Sequence, residues 1–291
     1  MVEANIMQAM DAHATDWCDR LWTQWIPLDS TGDLFKSRLP SGSGLYRVRA
    51  CQGDGLVYVG QTGRNLLERT KALARGVYRT RDNPPWNDPH TAAPLMWAYR
   101  IEDGLQFEIS GTEVHLDKPN RQCLEDLLLH KHRIHYGKST LANHGRLHPL
   151  WTRPSNGSKG RAATRRDAPE LYPSLPVATG VESPTAHDWI GLKWSAFEPI
   201  SSSTAKNEAG VYRIKDHDDL LYLGQSKKLQ ARINTHAKDP RFTNCQISYH
   251  AMLHALDHHL LEREVDLIGS YYALESEPPR FQYQPQRRTS R

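Results

Sequence analysis

Two stretches of the chain carry the alternation of apolar, aromatic and β-branched residues that is typical of paired β-strands. In the first stretch the pattern predicts strands over Leu45–Ala50 and Leu56–Gly60. In the second it predicts strands over Val211–Lys215 and Leu220–Gly224. In both stretches the strands are separated by a short polar segment of turn-forming residues. The sequence therefore predicts two β-hairpins of the same design.

The first hairpin is followed by Leu66, Thr70 and Leu73, which recur at helical spacing. Helices are predicted over Asn65–Arg75, Arg121–Tyr136, Lys227–His236 and His258–Tyr272, and further strands over Leu95–Ile101, Leu105–Ser110 and Ile247–Met252. Because the order of hairpin, helix, strand and closing helix returns, the chain predicts a duplicated α+β folding unit.

The duplication divides the chain into four parts. They are a helical, Trp-rich extension (1–40), a first module (41–151), a basic linker rich in Pro, Ser and Gly (152–187) and a second module (188–291). The tryptophans of the extension are expected to dock on a core, with base stacking as the alternative. The linker is expected to be a solvated spacer, with a phosphate-contacting strap as the alternative; its cations are Lys159, Arg161, Arg165 and Arg166.

Composition limits the classes of protein that fit this plan. A length of 291 residues suffices for two cores, and a net charge of only +4 means that any anion-binding surface must be local. The four cysteines have no metal-binding spacing, which favours a reducing compartment. No apolar run is long enough to cross a membrane and no signal peptide is evident, so a cytoplasmic protein without a membrane partner is expected.

A glutamate stands at the head of an apolar helical stripe in both copies. Glu125 precedes Leu128 and Leu129, and Glu264 precedes Leu267 and Ile268, at the same spacing. Burying a carboxylate is expensive unless a partner or a metal ion compensates. A salt bridge is the plain alternative for either residue, but the recurrence favours Mg²⁺ or Mn²⁺ at Glu125 and Glu264, with water and phosphate oxygens completing the shell.

The other candidate groups lie on the hairpins and on the helices that follow them. Arg69 and Arg232 offer a permanent charge for a phosphate group. The strand tyrosines lie beside glycines, which we expect to let a substrate backbone approach. To activate a water molecule a phenol would need a pKa below about 10, and neighbouring cations act in that direction.

The repeated motifs Gly44-Leu45-Tyr46 with Tyr58-Val59-Gly60, and Gly210-Val211-Tyr212 with Tyr222-Leu223-Gly224, resemble those of the GIY-YIG nuclease family. The resemblance implies that each module has a small, mainly antiparallel three-stranded sheet flanked by helices. It also implies two active sites, in which the glutamates bind the metal. The first comprises Tyr46, Tyr58, Arg69, Glu125 and Asn143, and the second Tyr212, Tyr222, Arg232, His236 and Glu264.

The second module departs from the family pattern, because it has Gln282 where an asparagine is expected. The first has Leu73 at the position of His236, which is common in the family. Since the asparagine is thought to brace the pocket, the first site is expected to be the more surely active one.

The function expected from the resemblance is metal-dependent hydrolysis of DNA phosphodiester bonds, in a restriction-like or phage-defence setting. RNA is not excluded as substrate, and the oligomeric state is left open. The cations expected to contact nucleic acid are Arg64, Lys71, Arg75, Lys227 and Lys228. The alternative is a non-catalytic nucleic-acid-binding protein built from degenerate modules. A zinc site is a minor alternative, either among His130, His132 and His135 or among His254, His258 and His259, where His254 and His258 have the i, i+4 spacing.

Overall fold

The structure is a computed structural model that describes residues 11–29, 31, 33–152, 163–181 and 183–284. These residues form two compact units. The first lies within Met1–Leu116 and Lys131–Ser174, and the second within Asp117–His130 and Leu175–Arg291.

The described chain is an α+β protein with five α-helices. The first unit contains strands β1 (Ile26–Pro27), β2 (Gly44–Ala50), β3 (Leu56–Thr62) and β4 (Phe107–Glu113), with helices α1 (Leu66–Val77) and α2 (Ala93–Asp103). Helix α3 (Lys118–Tyr136) contributes residues to both units. The second unit contains strands β5 (Glu198–Pro199), β6 (Gly210–Asp216), β7 (Asp219–Ser226) and β8 (Gln246–Ala251), with helices α4 (Leu229–His236) and α5 (Asp257–Glu275).

Each unit has an antiparallel sheet of four strands, in the orders β1-β4-β2-β3 and β5-β8-β6-β7. The prediction of three-stranded sheets is therefore corrected. The additional edge strands β1 and β5 are two residues long. A strand of two residues cannot display the alternation by which longer strands are found in a sequence.

A second correction concerns the predicted strand Leu95–Ile101, which lies inside helix α2. Its aromatic and β-branched residues favour a strand locally. However, Ala93, Met96 and Trp97 are fully buried at the i, i+3 and i+4 positions of one helical face. Gly104 then ends the helix in the left-handed conformation, with φ of 69°. Packing of the apolar face has overridden the local strand preference.

The tryptophan-rich stretch belongs to the first unit, where it covers a buried cation. Arg47 in β2 is fully buried, and its guanidinium lies 5.7, 4.4 and 4.7 Å from the rings of Trp17, Trp22 and Trp25. It also donates to the carbonyl oxygens of Ala12 (2.6 Å) and Ala14 (2.8 Å). The tryptophans thus dock on the sheet through cation–π contacts and hydrogen bonds.

The predicted helical character of the extension is not seen in its described part. Residues 11–29 contain a single short 3-10 helix, Trp17–Asp19, and no α-helix, while residues 1–10 lie outside the described residues. The Trp22 indole N–H donates to the carbonyl oxygen of Trp17 (3.0 Å), which folds the stretch into a compact loop over Arg47.

The second unit repeats this arrangement with other residues. Arg213 in β6 is fully buried, and its guanidinium lies 4.3 Å from the ring of Trp194 and 4.7 Å from that of Phe197. The Trp194 indole N–H donates to the carbonyl oxygen of Trp189 (3.2 Å), as in the first unit. The duplicated unit therefore includes the aromatic stretch that precedes each hairpin. It also includes the short edge strand that lies between this stretch and the hairpin.

Replacing Trp17 by alanine is expected to destabilise the protein by about 3–5 kcal/mol, because a fully buried ring is lost and Arg47 loses part of its cover. Leu21→Ala is the matched control from the same stretch. Leu21 is 88% exposed, so a change within about 0.5 kcal/mol is expected. Urea unfolding of both variants measures the difference, and equal stabilities would contradict a docked stretch.

Candidate active site

The two motif tyrosines of the first unit pack together over a glycine. Tyr46 pairs with Gly60 across the hairpin, and the rings of Tyr46 and Tyr58 lie with their centroids 5.9 Å apart. A β-carbon at position 60 would lie 2.5 Å from the Tyr58 ring and 2.6 Å from that of Tyr46. Only glycine leaves room for both rings.

The second unit has the same packing. Tyr212 pairs with Gly224, and the Tyr212 and Tyr222 rings are stacked at 6.1 Å. A β-carbon at position 224 would lie 2.6 Å from the Tyr212 hydroxyl oxygen and 2.8 Å from the Tyr222 ring. The glycines therefore make room for the tyrosine rings of the protein, which differs from the expected approach of a substrate backbone.

Helix α4 brings a cation and an imidazole to these phenols. Arg232 donates from Nε to the Tyr212 hydroxyl oxygen (3.1 Å) and is also hydrogen-bonded to Tyr222. The Tyr212 hydroxyl lies 2.8 Å from Nε2 of His236, which is buried. Since Arg232 and His236 are one helical turn apart, a single helix face presents both groups to the hairpin.

Glu264 on helix α5 lies beside the same groups. Its carboxyl group is hydrogen-bonded to the backbone of Gln225, the residue after the motif glycine, and interacts electrostatically with Arg232. Burial raises the pKa of Glu264 to about 7, against the lowering effects of these two partners. The structure thus brings Tyr212, Tyr222, Arg232, His236 and Glu264 together within the second unit.

The expected lowering of the phenol pKa is wrong for the second unit. Burial raises the pKa of Tyr212 and of Tyr222, and the nearby carboxyl group of Glu264 acts in the same direction. The charge of Arg232 favours the phenolate form but is outweighed. Both side chains are therefore neutral phenols at neutral pH. Burial also lowers the pKa of His236 to about 4, so its imidazole is neutral as well.

A buried carboxyl group in the second unit interacts electrostatically with Glu264. Asp126, on the part of α3 that belongs to the second unit, accepts a hydrogen bond from the Tyr283 hydroxyl. Burial raises the pKa of Asp126 well above its usual value, and the charges of Glu125 and Glu264 act in the same direction. Asp126 was not a sequence candidate, because an acidic residue next to Glu125 carries no signal of its own.

The first unit contains a candidate functional histidine that no sequence pattern indicates. Leu73 is buried at the helix position that corresponds to His236, but the loop before α2 supplies His90. The Tyr46 hydroxyl lies 2.7 Å from Nε2 of His90, and the His90 ring contacts Tyr58 with centroids 5.8 Å apart. No local spacing identifies His90, because it is 44 residues from its tyrosine in the sequence.

The remaining first-site candidates are placed as follows. Arg69 lies on α1. The pKa of His90 is lowered to about 3, mainly by burial of its ring and in addition by the positive charge of Arg69. Glu125 lies on the part of α3 that belongs to the second unit, and its assignment to the first site stays a prediction.

The Asn143 side chain braces strand β3 by two hydrogen bonds to its backbone. Its Oδ1 accepts from the backbone N–H of Val59 (3.0 Å), and its Nδ2 donates to the Val59 carbonyl oxygen (2.9 Å). Thr140 donates from its hydroxyl to the same Oδ1 (2.7 Å). Asn143 therefore fixes the residue that follows the second motif tyrosine.

Gln282 makes the corresponding bond in the second unit. Its Oε1 accepts from the backbone N–H of Leu223 (3.1 Å), and Leu223 is the residue after Tyr222. The residues before the two amides also correspond, since Ala142 donates to the Val57 carbonyl oxygen and Phe281 to that of Leu221. The replacement of asparagine by Gln282 therefore does not remove the brace.

Two of the five cations expected to contact nucleic acid already lie beside carboxylates of the protein. Lys71 lies 3.7 Å from Glu68, and Lys227 forms an ion pair of 2.6 Å with Asp257. The other three candidate cations lie on exposed positions; they are Arg64, Arg75 and Lys228.

In the predicted linker the described cations are paired within the first unit. Arg165 bonds Glu102 (3.1 Å), and Arg166 forms an ion pair with Glu170. Lys159 and Arg161 lie outside the described residues. These two cations are therefore already paired with carboxylates, which does not favour the phosphate-contacting strap.

The histidines considered for zinc have other partners. His132 accepts a hydrogen bond from the backbone N–H of Leu56 (2.9 Å) and so supports the first hairpin. His130 pairs with Asp266 at 3.2 Å. Among the described residues, no group of three or more histidine, cysteine, aspartate or glutamate side chains is arranged to hold a metal ion.

Comparison of the chain with protein-family models, with curated proteins and with solved structures gave no significant match. In the part of the chain that the structure covers, none of the helices has the length and apolar character required to cross a membrane.

Removing the Gln282 side chain is expected to cost about 1–3 kcal/mol, because the buried N–H of Leu223 loses its acceptor. Gln284→Ala is the matched control, since Gln284 is exposed and bonds only the nearby Arg280 carbonyl oxygen in the described chain. Denaturant unfolding of Gln282→Ala and Gln284→Ala measures the difference. A Gln282→Ala variant as stable as its control would refute the bracing role.

Proposed function

We propose that this protein is a divalent-metal-dependent endonuclease that hydrolyses phosphodiester bonds, with its best-supported site in the second unit. The observation that carries the proposal is the convergence of one guanidinium, two phenols, an imidazole and a carboxyl group. Arg232 and Glu264 are both partly exposed, so a substrate can reach them. Cation, neutral hydrogen-bonding groups and carboxylate are the components that phosphoryl chemistry requires.

Each protein group has a role that its contacts support. Arg232 already donates to a neutral hydroxyl oxygen, and a phosphate oxygen is a stronger acceptor for the same fork of N–H groups. Tyr212 and Tyr222, neutral and held by Arg232, would orient the attacking water by hydrogen bonds. His236 holds the Tyr212 hydroxyl through its Nε2 atom. These groups together would fix the water relative to the phosphate.

The donor set fits a magnesium or manganese ion held by a single protein carboxylate. Glu264 offers hard oxygen atoms beside the arginine, and Mg²⁺ commonly keeps several waters and takes phosphate oxygens for the rest of its shell. When bound, the metal would act as a Lewis acid and stabilise the charge that develops at the phosphate. Glu264 must lose its proton to serve as the ligand.

The first unit is proposed as a second cutting site of the same kind. Its phenols pack as in the second unit, and Asn143 supplies the brace that Gln282 supplies there. Tyr46, Tyr58 and Arg69 are its proposed protein groups, and Glu125 is the metal ligand that the sequence resemblance implies for it. Two such sites would allow one cut on each strand of a duplex.

DNA is the proposed substrate class, with RNA as the alternative that competition experiments distinguish. The exposed cations Arg64, Arg75 and Lys228 are proposed to contact the phosphate backbone, and Lys71 and Lys227 would exchange a carboxylate for a phosphate. A restriction-like or phage-defence role is our proposal for the biological setting.

Glu264→Gln and Glu125→Gln are each expected to abolish cleavage at one site. Supercoiled plasmid incubated with Mg²⁺ should be nicked and linearised by the wild type, and only nicked by either variant. The double variant should lose activity by roughly 10²–10³-fold, because the only carboxylates proposed to hold metal are gone. Gel analysis of the products, with chelator as the blank, measures this.

The control is Glu275→Gln, an exposed glutamate on the same helix as Glu264, which should cut as the wild type does. Cleavage by the double variant at a rate close to that of the wild type would mean that the site lies elsewhere. A wild type that binds DNA but never nicks it with Mg²⁺ or Mn²⁺ would establish the rival, a non-catalytic nucleic-acid-binding protein.

Metal binding at the second site is expected to strengthen with pH. Because the pKa of Glu264 is raised to about 7, its carboxyl group is mostly protonated at pH 6 and mostly ionised at pH 8. Mn²⁺ titration of Glu125→Gln by calorimetry should therefore show an affinity about tenfold weaker at pH 6 than at pH 8. The double variant supplies the baseline, and equal affinities at the two pH values would rule out Glu264 as the ligand.

A further inference from the structure

The same atom-to-atom contact is built in the two units from different parts of the chain. His90 Nε2 lies 2.7 Å from the Tyr46 hydroxyl, and His236 Nε2 lies 2.8 Å from the Tyr212 hydroxyl. Both histidines also contact the second tyrosine of their unit, with ring centroids 5.8 and 5.2 Å apart. Both are buried, although His236 belongs to a helix and His90 to a loop.

The loop of the first unit is held so that the His90 ring points at the tyrosine. Asp88 accepts from the backbone N–H of His90 (2.9 Å) and faces Arg79 at 3.5 Å. The loop can approach helix α1 because Gly76 has no side chain. A β-carbon there would lie 2.6 Å from that of Ala93 and 2.8 Å from the Asp88 carboxylate. Several interactions therefore fix the position of His90.

The hydrogen bonds of the His90 ring define which atom donates. The backbone N–H of Ala92 donates to Nδ1 (3.3 Å), so Nδ1 carries no hydrogen. Burial and the charge of Arg69 lower the pKa of His90 to about 3, so the ring is neutral and its hydrogen is on Nε2. The ring therefore donates to the Tyr46 hydroxyl oxygen. In the second unit Arg232 provides an N–H donor to the Tyr212 hydroxyl oxygen from its Nε atom.

We propose that His90 is a positioning residue of the first site, which holds the Tyr46 phenol by donating from Nε2 to its oxygen. This inference rests on the proposed nuclease function of that site. A donor at the phenol oxygen fixes the direction of the hydroxyl hydrogen and stabilises negative charge on the oxygen during reaction. His90 does not accept the phenol proton, because its Nε2 already carries one.

The test is made in the Glu264→Gln background, where the second site is silent. His90→Leu should lower kcat for plasmid nicking roughly 10–100-fold with KM within threefold, because a buried donor to a developing charge is lost. His90→Gln keeps an N–H donor and should stay within roughly tenfold of its parent. Thermal unfolding and circular dichroism verify that the variants are folded.

A variant in which the histidine is moved to another position distinguishes an effect of hydrogen bonding from an effect of packing. His90→Leu combined with Leu73→His places the ring where His236 lies in the second unit, and should recover roughly tenfold of the lost kcat. Nicking by His90→Leu within twofold of its parent would overturn the proposal. The proposal would also be overturned if kcat fell as far in folded His90→Gln, and in the combined His90→Leu and Leu73→His variant, as it does in His90→Leu. Packing alone would then explain the effect.

If the Glu264→Gln parent does not nick DNA at all, the proposed function of the first site has failed, and ¹⁵N NMR of the histidine rings still decides the role of His90. A hydrogen on Nε2 whose signal shifts in Tyr46→Phe supports the donated bond. A hydrogen on Nδ1, or a signal unchanged in Tyr46→Phe, overturns it.

Discussion

The missing side chain of one glycine in each hairpin determines where the phenols of the site can lie. Gly60 and Gly224 face the first tyrosine of their motif across the strand pair. A β-carbon at either position would lie within 2.8 Å of both tyrosine side chains. Such an overlap cannot be relieved by rotation of a stiff ring in a packed core, so either the hairpin register or the phenol positions would change. The other groups of the site bind to oxygens that are already fixed in this way.

The opposite face of the same central strand is fixed by a buried cation. Successive residues of a strand point to opposite faces, so Arg47 and Arg213, which follow Tyr46 and Tyr212, lie on the face away from the phenols. Burial lowers the pKa of both guanidinium groups to about 9, which leaves them protonated at pH 7. Aromatic rings and backbone carbonyl oxygens compensate that charge. The aromatic stretches thereby hold the central strand on the face opposite the phenols. The strand cannot move without breaking the contacts of the arginine on one face and those of the tyrosine on the other.

Much of this structure could be predicted from the sequence. The features that could not be predicted have a physical cause in common. The hairpins, the long helices and the duplication follow from periodic patterns that extend over many residues. Strands β1 and β5 are too short for a pattern, and α2 is decided by burial of one face rather than by local preference. His90 lies in a loop without periodicity and meets its tyrosine only through the tertiary fold. The phenol pKa values were mispredicted because burial, which a sequence does not display, outweighs the neighbouring cation.

The two units also indicate what the fold conserves between its copies. Asn143 and Gln282 differ in length and lie in different segments, yet each places a carbonyl oxygen on the N–H of the residue after the second tyrosine. A buried N–H without an acceptor costs about 1–3 kcal/mol, and the side chains of both residues avoid that cost. The energetic constraint thus acts on the position of an acceptor atom and not on the residue type. A departure from a motif at such a position is therefore weak evidence against a site as long as the backbone group it serves is still paired.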